Sequence, residues 1–193
     1  MTSRATPVTR NDASPEQLAL WDELVGSRGG AMNLIGPDGA LVGPFNHMVA
    51  SPNLGKRMGD LGQGVRFEAV IDRRLQELAI ITVGAHWRSN FEFWAHGRMA
   101  IDHGIDRSVV DALAEGGEPT FERDDEAEVY GFASQLVTTG RVDEDRYEAV
   151  RRRVGEQALV DLITTIGYYS LISLTLNAHQ IPLPEGVEPI WPA

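Results

Sequence analysis

The apolar stretch near the C-terminus limits most strongly what this chain can fold into. Residues 156–177 contain the run LVDLITTIGYYSLISLTLN, in which apolar side chains would surround a helix on nearly every side. A helix of about 22 residues is ~33 Å long, and such a helix is unstable on the surface of a monomer in water. We therefore expect it to be buried centrally or against another subunit. A polar stripe of Tyr169, Ser173 and Asn177 runs along it.

Helical periodicity also dominates the rest of the chain, and no segment sustains the alternation of a strand. Ser14-Pro15-Glu16 is typical of a helix start, with a cap, a first-turn proline and a first-turn acid. The pattern predicts an all-α helical bundle of seven to eight helices. We expect a flexible N-terminal segment over 1–13, a single all-α domain over 14–181 and an extended tail over 182–193 that docks on a neighbour.

A glycine-rich segment over residues 26–45 interrupts this pattern. It predicts a long ordered loop with a turn at Pro37–Gly39. A loop of this length inside a compact domain is often functional. A spacer or a subunit contact arm is an equally good interpretation. The glycines of residues 26–30 lack the preceding strand and the lysine of a phosphate-binding loop.

The composition excludes several classes of function. The 193-residue chain contains no cysteine, which rules out disulfides, thiolate metal sites and thiol peroxidase chemistry. A formal net charge of −11 argues against nucleic acid or an anionic membrane as a partner, because both require clustered Lys and Arg. Residues 1–14 show no signal pattern, and no run approaches the ~20 apolar residues of a membrane span. These features predict a cytoplasmic protein.

The stretch from Asp72 to His103 carries the residues best suited to chemistry. It predicts two helices with a break near residues 87–89. The second helix contains Glu92 and His96, whose spacing of four residues places a carboxylate and an imidazole on one face. Aromatic neighbours surround them, and apolar surroundings shift pKa values toward useful proton transfer. An ordinary surface pair on a helix is the alternative interpretation.

The run RLQELAIITVGAHWRSNFEFWAH, which begins at Arg74, resembles the carboxymuconolactone decarboxylase family, which includes the alkylhydroperoxidase D-like proteins. In the redox branch a glutamate in an R-L-x-E-L helix precedes a Cys-x-x-Cys pair and a histidine. Glu77 and His96 match the glutamate and the histidine, whereas Ser89 and Glu92 stand at the cysteine positions. The decarboxylase branch is more similar here, because it places a glutamate four residues before the histidine.

The resemblance covers roughly residues 15–183, since GPFNHMVASPNLG and GYYSLISLTLNAHQIPLP also resemble segments of uncharacterised family members. It implies an alkylhydroperoxidase D-like all-α fold that assembles as a homo-oligomer, such as a trimer or hexamer. It also implies an active site near a subunit contact. These implications agree with the apolar last helix and the docking tail.

The candidate site residues follow from the pattern and the resemblance together. The expected catalytic residues are Glu92, His96 and Glu77, with His96 as general base or acid and Glu92 as its partner. Glu77 could instead be structural, paired with the backbone or with Arg74. The expected substrate-binding residues are His86, Trp87, Arg98, Tyr168, Tyr169 and Asn177.

Each of these substrate-binding residues also has a structural interpretation, as a core histidine, a surface arginine or a hydrogen-bonding residue between helices. We expect no metal and no cofactor, because the spacing of His96 and His103 matches no strong metal motif.

Three functions are compatible with these residues. The first is a carboxymuconolactone decarboxylase-like, cofactor-free lyase or isomerase that acts on a small carboxylate or lactone-like molecule. The second is hydroperoxide reduction, as in the alkylhydroperoxidase D-like branch, which the absence of cysteine disfavours. The third is a non-catalytic oligomeric protein that binds a small molecule.

Overall fold

The computed structural model describes residues 3–28 and 34–192, and this part of the chain folds as all-α. It contains nine helices and no strand, only two isolated β-bridges. The all-α class that the sequence predicted is confirmed, with nine helices in the described part of the chain against the seven to eight expected; residues 45–67 form two of them, which meet at Ser51. The helices are α1 (Pro15–Arg28), α2 (Phe45–Ala50), α3 (Pro52–Phe67), α4 (Arg73–His86), α5 (Asn90–Asp102), α6 (Arg107–Glu115), α7 (Asp124–Thr139), α8 (Glu144–Val154) and α9 (Glu156–His179).

Helix α4 lies at the centre and packs against α5, α7 and α9. Asp72 precedes and caps this helix, because its carboxylate accepts hydrogen bonds from the backbone N–H groups of Arg74 and Leu75. All side chains of residues 75–84 are buried, so α4 has no solvent-facing side along most of its length. The break between α4 and α5 falls at residues 87–89, as the sequence predicted.

Two apolar clusters pack on opposite sides of α4. The larger cluster joins α4 to α1, α2, α3, α7, α8 and α9. The smaller cluster joins α4 to α5, α6 and the C-terminal tail, and Phe93 and Trp191 are its largest members. Helices α4 and α5 both contribute side chains to the two clusters or pack against them. Side chains between α4 and α5 are therefore surrounded by packed residues.

Gly55 of α3 lies where α3 contacts the preceding helix, α2. At Gly55 a Cβ atom would lie 1.9 Å from the carbonyl oxygen of Met48. No side chain could be accommodated there, so Gly55 permits the close approach of α2 and α3.

The glycine-rich segment is only partly a loop. Helix α1 continues to Arg28, three residues into this segment, and residues 29–33 lie outside the described part of the chain. The predicted turn at Pro37–Gly39 is present, because the Gly39 N–H donates to the carbonyl of Gly36 at 3.0 Å.

Helix α9 has one buried and one exposed apolar side. Leu162 and Ile166 belong to the larger core cluster, whereas Val160 and Leu174 are about half exposed. By length and composition alone, α9 could cross a membrane, and half of the relevant window is buried inside the protein. The expectation that no segment has this length and apolarity was therefore wrong for α9, because its threonines, serines and glycine are only weakly polar.

Both terminal segments are bonded to the helical domain of the same chain. The Arg4 N–H donates to the carbonyl of His179 at 2.8 Å, and Val8 exchanges two hydrogen bonds with the side chain of Asn46. In the tail, the Trp191 indole N–H donates to the carbonyl of Ala114 at 3.0 Å. Asn90 bonds the Trp191 backbone on both sides. The docking partner of the tail is thus its own chain.

We expect Trp191→Ala to destabilise the protein by about 3 kcal/mol, because it removes a large ring from the smaller cluster. The ring lies 5.1 Å from that of Phe93, measured between centroids. Urea denaturation measures the change. Ile190→Ala is the matched control, since Ile190 is 43% exposed, and it should change stability by less than about 0.5 kcal/mol. Equal effects of the two substitutions would contradict the docking of the tail.

Candidate active site

Glu77 is the most deeply buried charged group of the site. It lies on α4 with no solvent exposure, among the apolar residues of the helix centre. Its Oε1 atom accepts from Arg66 Nη1 at 2.6 Å and lies 3.0 Å from Arg73 Nη2. Its Oε2 atom lies 2.6 Å from His96 Nδ1. A buried carboxylate requires such partners, and here they come from three helices.

His96 connects Glu77 to Glu92. It lies on α5, where the four-residue spacing from Glu92 places both side chains on the face toward α4 and α9. While Nδ1 contacts Glu77, Nε2 lies 3.1 Å from Glu92 Oε1. Both ring nitrogens are therefore engaged by carboxylates, so the imidazole is fixed in position and orientation.

The two carboxylates determine the charge of His96. Burial of the ring opposes protonation, but the hydrogen bonds to Glu77 and Glu92 and their negative charges outweigh it and raise the pKa of His96 to about 9. At neutral pH the ring is an imidazolium. Together with the two arginines on Glu77, it gives three cations for two carboxylates.

Tyr169 of α9 completes the buried part of the site. Its ring meets the His96 ring edge-on at 4.9 Å between centroids. Burial, together with the nearby charge of Glu92, raises the pKa of Tyr169 well above its ordinary value. The phenol therefore remains neutral and can donate a hydrogen bond to a developing negative charge.

A cavity of about 360 Å³ opens beside this group. Glu92, His96, Tyr168 and Tyr169 are its buried polar lining residues, and the more exposed side chains of Arg66, Arg98 and Asp102 also line it. The remaining wall is mainly apolar and aromatic. It includes Val42, Pro44, Phe45, Phe67, Phe91, Trp94, Ala95, Met99 and Ile172. A small apolar chamber with a few polar groups is typical of a ligand site.

The structure brings together six of the nine predicted site residues. Glu77, Glu92 and His96 form the contact chain, and Arg98, Tyr168 and Tyr169 line the cavity beside it.

His86, Trp87 and Asn177 are not among the residues that line this cavity. His86 borders a separate depression next to Arg88 and Trp191, because nine residues along α4 place it on the opposite face from Glu77. Asn177 lies two turns beyond Tyr169, ~12 Å along α9, and donates to the Trp87 carbonyl at 2.7 Å.

The arginine partners of Glu77 were not predicted. The sequence suggested Arg74, which instead pairs with Asp125 and Glu126 of α7. Arg73 could have been found from its spacing, since it lies four residues before Glu77. Arg66 lies at the end of α3, and no local pattern relates it to α4.

His103 is exposed at the end of α5. Within residues 3–28 and 34–192, no group of three or more His, Asp and Glu side chains is arranged to hold a metal ion.

Comparison with known proteins shows the fold but little sequence similarity. No protein-family model and no curated protein matches the chain. Solved structures do match, among them an alkylhydroperoxidase AhpD core, an uncharacterised peroxidase-related protein from Ralstonia eutropha JMP134. It has a TM-score of 0.76 and 13% identity, with 95% of this chain and 93% of that chain covered.

Two further structures are similar over nearly the whole length. The debrominase Bmp8 in complex with 2,3,4-tribromopyrrole has a TM-score of 0.69 and 16% identity over 96% of this chain and 94% of its own. An uncharacterised peroxidase-related protein from Silicibacter sp. TM1040 has a TM-score of 0.68 and 13% identity, with 94% of each chain covered. The chain therefore has the alkylhydroperoxidase D-like fold that the sequence predicted.

The raised pKa of His96 predicts a pH dependence of stability. The pKa rises from the ordinary 6.5 to about 9, so the stabilisation is fully present below pH 6.5 and is lost as pH increases through 9. Wild type should lose about 3 kcal/mol over this range relative to His96→Gln, whose side chain does not titrate. Urea denaturation at pH 6, 7.5 and 9.5 measures this difference. Parallel pH profiles for the two proteins would contradict the imidazolium assignment.

Proposed function

We propose that this protein is a carboxymuconolactone decarboxylase-like acid–base enzyme that moves a proton to or from a small organic molecule in the cavity. The observation that carries the proposal is the contact chain from Glu77 through His96 to Glu92, which ends at the cavity. A proton can pass along this chain between the buried imidazole of His96 and a molecule bound in the cavity. A catalytic role agrees with the fold, because a debrominase is among the proteins of similar structure.

In this proposal Glu92 exchanges the proton with the substrate. In an isomerisation, its carboxylate takes a proton from a carbon beside a carbonyl, and the C–H electron pair moves into an enolate. The resulting carboxylic acid then returns the proton to another carbon. In a decarboxylation, CO2 leaves and the electron pair of the broken C–C bond forms the enolate, which takes from Glu92 a proton that His96 Nε2 supplies. Neither sequence of steps needs an electron acceptor, so neither requires a cofactor.

His96 acts as a positioning residue and a proton reserve rather than as the general base or acid that the sequence suggested. An imidazolium already carries a proton on each nitrogen, and both nitrogens face carboxylates. It can pass the Nε2 proton to Glu92 and recover one from solvent after the reaction. Glu77, with its two arginines, stabilises the charged ring during both steps.

The cavity favours a small substrate with an apolar body and an anionic group. Its aromatic wall can hold a flat carbon skeleton, and its volume of about 360 Å³ suits a small molecule. Arg98 carries its guanidinium 5.9 Å from the centre of the Trp94 ring, at the edge of the cavity. No ion pair is formed by Arg98 within the described ranges, so it can bind a carboxylate. A small carboxylate or lactone-like molecule fits these features.

The role of Glu92 predicts the behaviour of Glu92→Gln. We expect proton exchange to fall about 10²–10⁴-fold, as for loss of a general acid–base group. Proton NMR in D2O measures deuterium incorporation into a panel of small carboxylates and lactones, with 2,3,4-tribromopyrrole added because a protein of similar fold binds it. Glu122→Gln is the matched control, because Glu122 is exposed and outside the cavity. Full activity in Glu92→Gln would show that the mechanism is wrong.

The role of Arg98 predicts a selective loss of substrate binding. Arg98→Gln should raise KM for a carboxylate substrate roughly 10-fold or more, since a charged hydrogen bond contributes about 1.5–3 kcal/mol. It should leave kcat nearly unchanged, because a binding contact retained in the transition state affects KM alone. Steady-state kinetics with the acid and its neutral methyl ester separate the two effects. An equal rise in KM for acid and ester would count against anion recognition.

The same NMR assay, with an organic hydroperoxide added to the panel, distinguishes this proposal from its alternatives. Hydroperoxide reduction would appear as consumption of an organic hydroperoxide in the presence of a thiol reductant, and it would have to proceed without a cysteine of the protein. A non-catalytic binding protein would broaden the NMR signals of a ligand without deuterium incorporation.

A further inference from the structure

A second cavity, of about 620 Å³, adjoins the active-site cavity. Val42, Phe91 and Trp94 line both cavities, so the two spaces meet at these three side chains. We call the second space the distal cavity. Because the two cavities share these walls, a molecule whose reactive end lies beside Glu92 could extend past Phe91 and Trp94 into the distal cavity.

Three segments outside the helices form most of the distal cavity. They are residues 3–7 before α1, residues 35–43 before α2 and residues 181–185 after α9. Their lining side chains are mainly alanine, proline, leucine and isoleucine. Concave apolar spaces of this size are typical of ligand sites. The distal cavity is therefore suited to an apolar group.

The walls of the distal cavity are fixed by contacts with the helical domain. Asn46 of α2 exchanges two hydrogen bonds with the backbone of Val8, and the Ile181 N–H donates to the carbonyl of Leu176 at 3.0 Å. Four of the lining residues are prolines, which limit backbone motion and carry no N–H that requires a partner. A site that is formed before its ligand arrives lowers the ordering cost of binding.

Two aromatic rings of α5 border the junction between the cavities. The rings of Phe91 and Trp94 meet edge-on, with centroids 5.8 Å apart. Phe91 also lies against Gly43, where a Cβ atom would stand 2.8 Å from Phe91 Cε1. Gly43 therefore permits this position of the ring, and its positive φ of 58° suits a glycine. The junction is thus apolar and compatible with a hydrocarbon chain.

The two cavities differ in the charge that they present. In the active-site cavity, Arg98 forms no ion pair with any described residue, so its guanidinium is available to an anionic group. In the distal cavity the charged lining residues are Asp38 and Glu185, and no lysine or arginine of the described chain lines it. His47 adds no positive charge there, because burial and the adjacent His179 ring lower its pKa to about 4. An acid with an apolar tail would therefore place its carboxylate in the active-site cavity and its tail in the distal cavity.

We propose that the substrate is an amphipathic carbonyl acid, whose carboxylate pairs with Arg98 and whose neutral alkyl or aryl tail lies in the distal cavity. The reaction itself rests on the proposed function, whereas the binding of the tail follows from the two cavities. Trp94 relates the two ends of the molecule. Its ring centre lies 5.9 Å from the Arg98 guanidinium carbon, and the same ring lines the distal cavity.

Isothermal titration calorimetry with butyrate, hexanoate, octanoate and decanoate tests the tail site without requiring turnover. Each added methylene should tighten binding roughly 3-fold as it leaves water. Leu183→Trp places a larger side chain in the distal cavity, so it should leave butyrate binding unchanged and weaken decanoate binding about 10-fold or more. Val187→Trp is the matched control, because Val187 is a half-buried residue of the same tail that lines neither cavity. It should keep the wild-type series.

Two further measurements test the orientation of the ligand. Decanedioate is as long as decanoate, but its second carboxylate would enter the distal cavity beside acidic residues. It should bind about 10-fold more weakly or worse, because a charge would leave water without a partner. Arg98→Gln should weaken butyrate and decanoate by the same factor, because both acids share the carboxylate contact. One molecule should bind per chain.

Far-ultraviolet circular dichroism checks that each variant is folded. Ala5→Phe fills the distal cavity from the N-terminal segment and gives the same test if Leu183→Trp does not fold.

Several results would overturn the proposal. They are a series without dependence on chain length, equal decanoate affinities in Leu183→Trp and Val187→Trp, and decanedioate binding as tight as that of decanoate. Two decanoate molecules per chain, or decanoate binding unaffected by Arg98→Gln, would show that the distal cavity is an independent site.

The proposed function is tested separately by deuterium incorporation with Glu92→Gln. Its failure would leave the chain-length series unaffected, because that series measures binding alone. A flat series would leave the proton exchange of small acids unaffected, because these acids do not reach the distal cavity.

Discussion

The buried carboxylate of Glu77 is the interaction on which the site depends. Removing a carboxylate from water costs several kcal/mol unless partners compensate it. Here Arg66 of α3, Arg73 of α4 and His96 of α5 all contact its two oxygens. Because an unpaired charge cannot remain at this depth, the three helices are constrained to keep their relative positions.

This constraint accounts for the orientation of the groups at the cavity. Glu77 fixes Nδ1 of His96, and the rigid ring then directs Nε2 toward Glu92. The contact with His96 therefore fixes the position of Glu92, whose side chain also lines the cavity. Chemical groups that are fixed before a substrate binds need not be reorganised during reaction, which is the usual source of electrostatic catalysis. In the proposed mechanism Glu92, and not His96, therefore exchanges the proton with the substrate.

The sequence predicted what depends on spacing within one helix and missed what depends on contacts between helices. The all-α fold, the break at residues 87–89 and the Glu92–His96 pair all follow from local periodicity. Arg66 was missed because its approach to Glu77 is set by how α3 packs on α4. The charge of His96 could not be predicted either, since it results from carboxylates on both sides of the ring.

Local reasoning also explains which predicted site residues do not line the cavity. His86 was grouped with the site because it precedes the helix break, and Asn177 because it continues the polar stripe of Tyr169. Helix geometry separates them from it, since His86 is half a rotation from Glu77 and Asn177 is two turns from Tyr169. Both could have been excluded by counting residues along α4 and α9. The tail, in contrast, needed the structure, because nothing in its sequence indicates contact with Asn90 and Ala114.

Helix α9 joins the cavity to the core of the same chain. Tyr169 and Ile172 border the cavity, whereas Leu162 and Ile166 pack in the larger apolar cluster. Because protein interiors are close-packed, a change of volume at Leu162 or Ile166 would shift the helix that carries Tyr169. The contacts from Glu77 through His96 to Glu92 lie on α4 and α5. Core substitutions in α9 would therefore change the position of the Tyr169 phenol more than the order of contacts from Glu77 to Glu92.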